Sequence, residues 1–244
     1  MGPFDQDPQG FQYLLTIHDH ISAFSVVYPL KSISDAPAAV LDAIPHLTVQ
    51  LETRPKALQT DKVREFTSGS FTAALAKLGI GFYPSLPYSP QENGEAKHLN
   101  QTLGDMARAM LTESSMPSRF WKFAYALACY LHNWCPNSSP HQVLYRWPPS
   151  IATLYPFGER AIVHVLAVQQ SHKLYARGIE CKLLKPLLAS SGWLLWDLEN
   201  NQMIHPASVV FPRFQTAQST QGLPATHTQH DDTRQGPDRS FLCT

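Results

Sequence analysis

Runs of apolar, aromatic and β-branched residues alternate with short polar breaks through the first eighty positions. Residues 11–18 (FQYLLTIH) and 24–30 (FSVVYPL) are two such runs, separated by Asp19-His20-Ile21-Ser22-Ala23. This pattern predicts a hairpin of two antiparallel strands. Residues 32–45 (SISDAPAAVLDAIP) carry the Ala, Val, Leu and Ile content of a helix, with Ser34 as N-cap and Pro37 in the first turn, where a missing N–H costs little. A short strand over 56–60 delivers Asp61. Ser68 or Ser70 then opens a helix through Leu78, with Phe71, Leu75 and Leu78 on one face. Residues 79–83 give another strand. Strands alternating with helices indicate an α/β domain.

The second half changes texture twice. Residues 94–113 place Leu99, Leu103, Met106, Ala107 and Met110 at helical spacing, so that face predicts a core helix. A further helix starts near Met116-Pro117-Ser118 and repeats Phe120, Trp121, Ala124, Leu127, Ala128 and Leu131 along one side. Trp121 on such a stripe is expected in a core rather than against a base. Residues 134–157 are proline-rich and predict a connector. Short β-like runs follow at 160–168, 178–184, 192–197 and 203–212, with turns at Ser191-Gly192 and Glu199-Asn200-Asn201. Residues 215–244 are polar, with few large apolar side chains before the last four, and are expected to be disordered.

Composition narrows the possibilities. A chain of 244 residues with 43% hydrophobic content can bury one or two small cores. Its 19 basic residues balance 19 acidic ones, which argues against strong electrostatic attraction to nucleic acid. Cys129, Cys135, Cys181 and Cys243 show no CxxC spacing, so zinc is not expected and the thiols suit a reducing compartment. No apolar run is long enough to span a bilayer, and the N-terminus lacks a secretory pattern. A soluble, intracellular protein without membrane contact is expected.

Two motifs carry candidate chemistry: LQTDKVREF, holding Asp61, and PYSPQENGEAKHLNQTL, where a proline-rich loop becomes a helix. The pair resembles the core of copia-type LTR retrotransposon integrases, members of the retroviral-integrase family. In that family an Asp-Asn-Gly element at a strand end precedes a PYxPQxNGxxE helix start. The Phe-Trp-x-x-Ala pattern at Phe120–Ala124 and the Pro156-Phe157-Gly158 ending of the connector agree with it. The order RAIVHV to MIHPASVVF is similar to the small SH3-like barrel that follows such cores, with Lys185-Pro186 where Gly-Tyr is usual. Trp193 and Trp196 are expected to pack that barrel, base stacking being the alternative. The resemblance implies an α/β, ribonuclease-H-like core over residues 1–133, a linker over 134–157, an SH3-like β domain over 158–214 and the tail.

The family's activity is metal-dependent polynucleotidyl transfer. Two Mg²⁺ or Mn²⁺ ions held by three carboxylates bracket the scissile phosphate. Asp61 matches the second acid. The third is a Glu with 35 residues intervening, and here that position is Lys97. An ammonium has three donors and no lone pair, so it cannot ligate a metal. Glu95 lies two residues earlier, about 200° round the helix, and Glu92 lies in the loop. The first acid would precede Gly2-Pro3; Asp5 and Asp7 fall on the wrong side of that turn. Asp19 matches no catalytic position and is expected to be a loop carboxylate. Val63 stands where the family has a turn glycine, which weakens the aim of Asp61.

The family's first strand, central in its five-stranded sheet, would likewise precede Met1. Its loss would strip the strand ending at Asp61 of a neighbour, at about 1–3 kcal/mol per unpaired buried group. The expectation is therefore a degenerate, N-terminally truncated integrase copy, or coding sequence continuing upstream. Catalysis is expected to be lost and the family metals not bound. The alternative is a non-enzymatic module binding nucleic acid or protein. DNA is the ancestral partner and RNA a further candidate, with Gln91, Asn93, Lys97, His98 and Asn100 as the contacts. Self-association is compatible with the family, and a functional copy would be nuclear.

Overall fold

The computed structural model describes residues 1–60, 64–84, 94–134, 140–145, 154–164, 178–187, 192–206, 208–213 and 240–243. Asp61, Gln91, Glu92 and Asn93 lie outside the described residues, as does Ser191 of the expected Ser-Gly turn. The chain divides into two compact units. One comprises Met1–Ala109, Pro117–Ile151 and Gly236–Thr244, the other Met110–Met116 and Ala152–Gln235.

In the first unit the expected hairpin forms as β1 (Tyr13–Asp19) and β2 (Ser25–Leu30), antiparallel with Leu15 opposite Tyr28 and Ile17 opposite Val26. A 3-10 turn over Ile33–Asp35 follows, and Ser32, not Ser34, caps it in a reciprocal arrangement with Asp35. Helix α1 (Ala36–Gln50) runs through Pro45 rather than ending there. Its buried face, Val40, Ala43, Ile44 and Leu47, continues across the proline, and core packing outweighs the one hydrogen bond Pro45 cannot donate. β3 (Ala57–Thr60), α2 (Gly69–Lys77) and β4 (Gly81–Pro84) complete the alternation, with Ser68 at the N-cap position of α2. Phe71 and Leu75 of α2 are buried with Leu15, Ile17, Val40, Leu47 and Leu58 in one core.

Helix α3 (Gly94–Glu113) has the expected bounds and buries Ala96, Leu99, Leu103 and Ala107. Met106 and Met110 sit half-buried at its margin. Helix α4 (Trp121–Trp134) buries Trp121, Ala124, Leu127 and Ala128, and a short α5 (Pro140–Tyr145) falls within the expected connector. Trp121 is a core residue. Its ring stacks on Phe4 at 4.4 Å, and its indole N–H donates to the Asp5 carbonyl at 2.8 Å.

The second unit is an antiparallel sheet of β5 (Arg160–His164), β6 (Gly178–Pro186), β7 (Trp193–Asp197), β8 (Gln202–Ile204) and β9 (Val209–Val210), in the order β8-β7-β6-β5-β9. Ala161, Val163, Cys181, Leu183, Leu195 and Phe211 form its core. Trp193 packs edge-on to Phe211 at 5.3 Å and Trp196 is buried, so both tryptophans pack the unit as expected. The Glu199-Asn200-Asn201 turn is held by Asp197, whose carboxylate accepts from the amides of Glu199 and Asn200. Gly158 of the Pro-Phe-Gly ending has φ of +70°, and a Cβ there would lie 2.4 Å from that of Ser114. Only glycine fits such a position.

The last strand departs from expectation. β10 (Ser240–Cys243) lies in the stretch whose composition suggests a disordered tail. It completes the first unit's sheet, whose order is β2-β1-β10-β3-β4. The pairing is antiparallel to β1 and parallel to β3. The neighbour expected to be missing beside β3 is therefore supplied by the C-terminal segment. Local composition does not reveal it, because the pairing spans most of the chain.

One buried ion pair ties the N-terminal segment to α4. Asp7 accepts from the amides of Gln9 and Phe11 at 2.9 and 2.8 Å and pairs with Lys122, whose side chain is only 7% exposed. The Lys122 ammonium also lies over the rings of Phe11 and Phe123 at 4.7 and 4.9 Å. Removing one member strands a desolvated charge. Lys122→Ala is expected to destabilise the first unit by about 3–5 kcal/mol in urea unfolding, and adding Asp7→Asn should return part of that loss. Equal stability of the single and double variants would show that the pair is not coupled.

Candidate functional site

Of the residues singled out in the sequence, Glu95, Lys97, His98 and Asn100 lie in the first turns of α3, and Asp19 ends β1. Helical geometry sets their directions. Ala96 and Leu99 turn into the core, which places Lys97 and His98 on the exposed side and leaves Asn100 half-buried. Asn100 is not a free contact, since it has interactions of its own.

Glu95, the acid nearest the vestigial position, is engaged with the β1–β2 turn. His20 Nδ1 lies 2.6 Å from Glu95 Oε2, with both side chains 55% exposed. At that exposure the pair adds little stability, but it fixes where the carboxylate points.

Behind it the turn is braced by Asp19. This residue was expected to be a loop carboxylate; it ends β1 and is fully buried. Asp19 Oδ2 accepts from the Ser22 amide at 3.0 Å and the Ser22 hydroxyl at 2.5 Å. Its role is local turn geometry, reinforced by Ala23 at φ of +57°.

A second polar cluster surrounds Ser25 at the start of β2. Asn133 of α4 accepts from the Ser25 amide at 2.9 Å and donates to its carbonyl at 2.7 Å. The side chain thus satisfies backbone groups on an edge strand. Cys129 donates to the same carbonyl at 3.2 Å, and burial pushes its thiol up to about 12, so it is an inert packing group. The Ser25 hydroxyl lies 3.2 Å from the Ala23 carbonyl and 3.0 Å from His18 Nδ1. Which of the hydroxyl and the ring donates in the latter contact is set by the His18 tautomer. Nothing in the local sequence signals the contact between Ser25 and Asn133, 108 residues apart.

Burial lowers the His18 pKa; Glu95 and Asp19 raise it in part, while His132 and His20 lower it further. His132 is also lowered by burial.

Among the described residues the donor set does not suit the divalent metals of the integrase family. Those ions require oxygen ligands, and the position for the third acid presents an exposed ammonium. Glu95 is bound to His20, Asp19 to Ser22 and Asp7 to Lys122. Among the described residues no three His, Cys, Asp or Glu side chains are grouped to hold an ion. No described helix is long and apolar enough to cross a membrane.

No family model matches the chain. It is 32% identical over 218 residues to the retrovirus-related Pol polyprotein from transposon TNT 1-94 of Nicotiana tabacum, covering 86% of this chain and 16% of the relative. It is 25% identical over 229 residues to the corresponding polyprotein from transposon RE2 of Arabidopsis thaliana, covering 91% of this chain and again 16% of the relative. A chain in the solved simian T-cell lymphotropic virus intasome, in complex with the PP2A regulatory subunit B56 gamma, matches with a TM-score of 0.48 and 18% identity. That match covers 84% of this chain and 73% of that one. The chain is a homologue of copia-type retrotransposon Pol polyproteins, as its motifs imply, and spans about one sixth of their length. This homology supports an integrase-derived protein.

The histidines give a pH prediction. A group whose folded pKa lies below its unfolded value of 6.5 adds stability that is fully present above 6.5 and is lost as pH falls through the folded value. The urea midpoint of the first unit should therefore drop between about pH 7.5 and pH 5.5. His18→Asn keeps a hydrogen-bonding group towards Ser25 and removes one titrating ring, so its midpoint should drop less. A wild-type midpoint that does not move across this window would refute the burial of these rings as a source of pH dependence.

Proposed function

We propose that this chain is an integrase-derived protein with a ribonuclease-H-like core and an SH3-like β unit, inactive in strand transfer. The observation that carries this reading is the exposed Lys97 on the first turn of α3, separated from Asp61 by 35 intervening residues, where the family needs a metal-ligating carboxylate. An ammonium there supplies no lone pair and repels a cation. Glu95 does not substitute, because its carboxylate is held by His20.

A second, non-enzymatic reading is favoured by the same residue. Lys97 and His98 are exposed side by side at the start of α3, facing away from its buried stripe. Such a pair suits phosphate oxygens. We infer that the retained activity is weak, sequence-independent DNA binding in the nucleus, with Gln91 and Asn93, just before α3 in sequence, as further contacts. Balanced net charge limits its strength and makes it sensitive to salt. RNA would be held by the same phosphate contacts. Self-association follows only from the family's multimeric way of working.

Strand joining and disintegration in Mn²⁺ test the first reading. The chain and its Lys97→Glu variant should both give no product above a control without protein, since one restored acid does not rebuild a three-acid site. Product from the unaltered chain would overturn the reading; product from Lys97→Glu alone would show that Lys97 is the only defect. For the binding reading, the purified chain should be retained on DNA in low salt and released as salt rises, and Lys97→Glu should weaken retention. A chain that passes through at low salt does not bind.

A further inference from the structure

The gap between β1 and β3 is the most demanding position in the first unit. Both strands lie in the interior of the sheet, and Leu15, Ile17, Leu58 and Thr60 on them are buried. Backbone groups facing such a gap need partners. On the edge of β1 turned away from β2, Met1 exchanges hydrogen bonds with Leu14, its amino group donating at 2.7 Å and its carbonyl accepting at 2.9 Å. Farther along, β10 pairs Cys243 with Ile17, Leu242 with His18 and Phe241 with Asp19. On its other edge β10 runs parallel to β3, Ser240 beside Ala57 and Cys243 beside Thr60. Two strands far apart in sequence are thus joined through a four-residue strand near the C-terminus.

We propose that the gap between β1 and β3 is a strand-acceptor site for an extended peptide, and that Ser240–Cys243 of the same chain is its built-in ligand. Recognition is by the backbone, antiparallel to one wall and parallel to the other, so an incoming peptide is read as an added strand. The same chain's segment is favoured over a second copy. Attachment to the same chain gives an effective concentration on the order of millimolar, well above dilute protein. The division of the chain agrees, since Gly236–Thr244 belongs to the first unit although the sequence before it belongs to the second. The proposal does not depend on the strand-transfer or DNA-binding readings.

The test begins with the full chain carrying Ile17→Cys. Residues directly opposite in an antiparallel pair share one face, so the thiol introduced by this substitution and native Cys243 should cross-link on mild oxidation. The expected product is a monomer with a disulfide between positions 17 and 243, identified by peptide mapping. A covalent dimer through the same two positions would overturn the intramolecular assignment. Absence of both products would overturn the strand placement.

A chain lacking 236–244 is then titrated with a synthetic peptide of those nine residues. Saturable binding, with recovery of the first unit's urea midpoint, is expected. A peptide carrying Leu242→Pro should bind more weakly by about tenfold or more, since proline removes a backbone donor and is excluded from interior strands. Leu242→Val, which leaves the backbone unchanged, should bind nearly as well. If deletion leaves the midpoint unchanged, or if the proline and valine peptides bind alike, the acceptor site is refuted.

Discussion

The first unit depends on pairing both edges of its interior strands. A strand within a mixed sheet has two rows of backbone donors and acceptors, and side-chain packing cannot replace a missing row. β2 pairs one side of β1, and β4 pairs one side of β3. The remaining sides meet through β10. The helices depend on that closure, because Val40, Ala43 and Leu47 of α1 and Phe71 and Leu75 of α2 pack in one core with Leu15, Ile17 and Leu58 of the sheet. Without the central strand, those helices would cover a surface with no fixed spacing.

Much of this architecture was legible in the sequence where local periodicity and burial agree. The 94–113 helix was bounded correctly because its apolar stripe and polar face are both unbroken. The hairpin was legible because two apolar runs flank a short polar break. Legibility failed where a nonlocal partner decides. Pro45 looked like a helix end, but the buried face of α1 continues to Leu47. Asp19 read as a loop carboxylate, yet it ends β1, is buried and accepts from Ser22. Four residues of strand in a polar tail carry almost no periodic signal, so β10 could not be seen until its neighbours were placed.

The candidate site divides in the same way. Motif spacing located Lys97, and the structure places it exposed on the first turn of α3. Its angle on the helix was already reason to set Glu95 aside, and the structure adds the partner, His20, that fixes its carboxylate. Neither His20 nor the Ser25–Asn133 clasp could have been inferred from spacing. Asp61, Gln91 and Asn93 lie outside the described residues, so their part in the site stays at the level of the motif.

Charge explains why a lost metal site need not abolish every interaction of this surface. Three carboxylates facing one another repel unless cations lie between them, so an integrase site is a cation sink by construction. Replacing one carboxylate with an ammonium reverses the local sign at that point. A phosphate that once approached through metal ions can then meet a cation of the protein itself. Glu95 does not cancel that change in full, because its carboxylate is turned towards His20. On the proposed reading, the same substitution that removes a metal ligand places a cation where a phosphodiester is held, at an affinity limited by the chain's balanced charge.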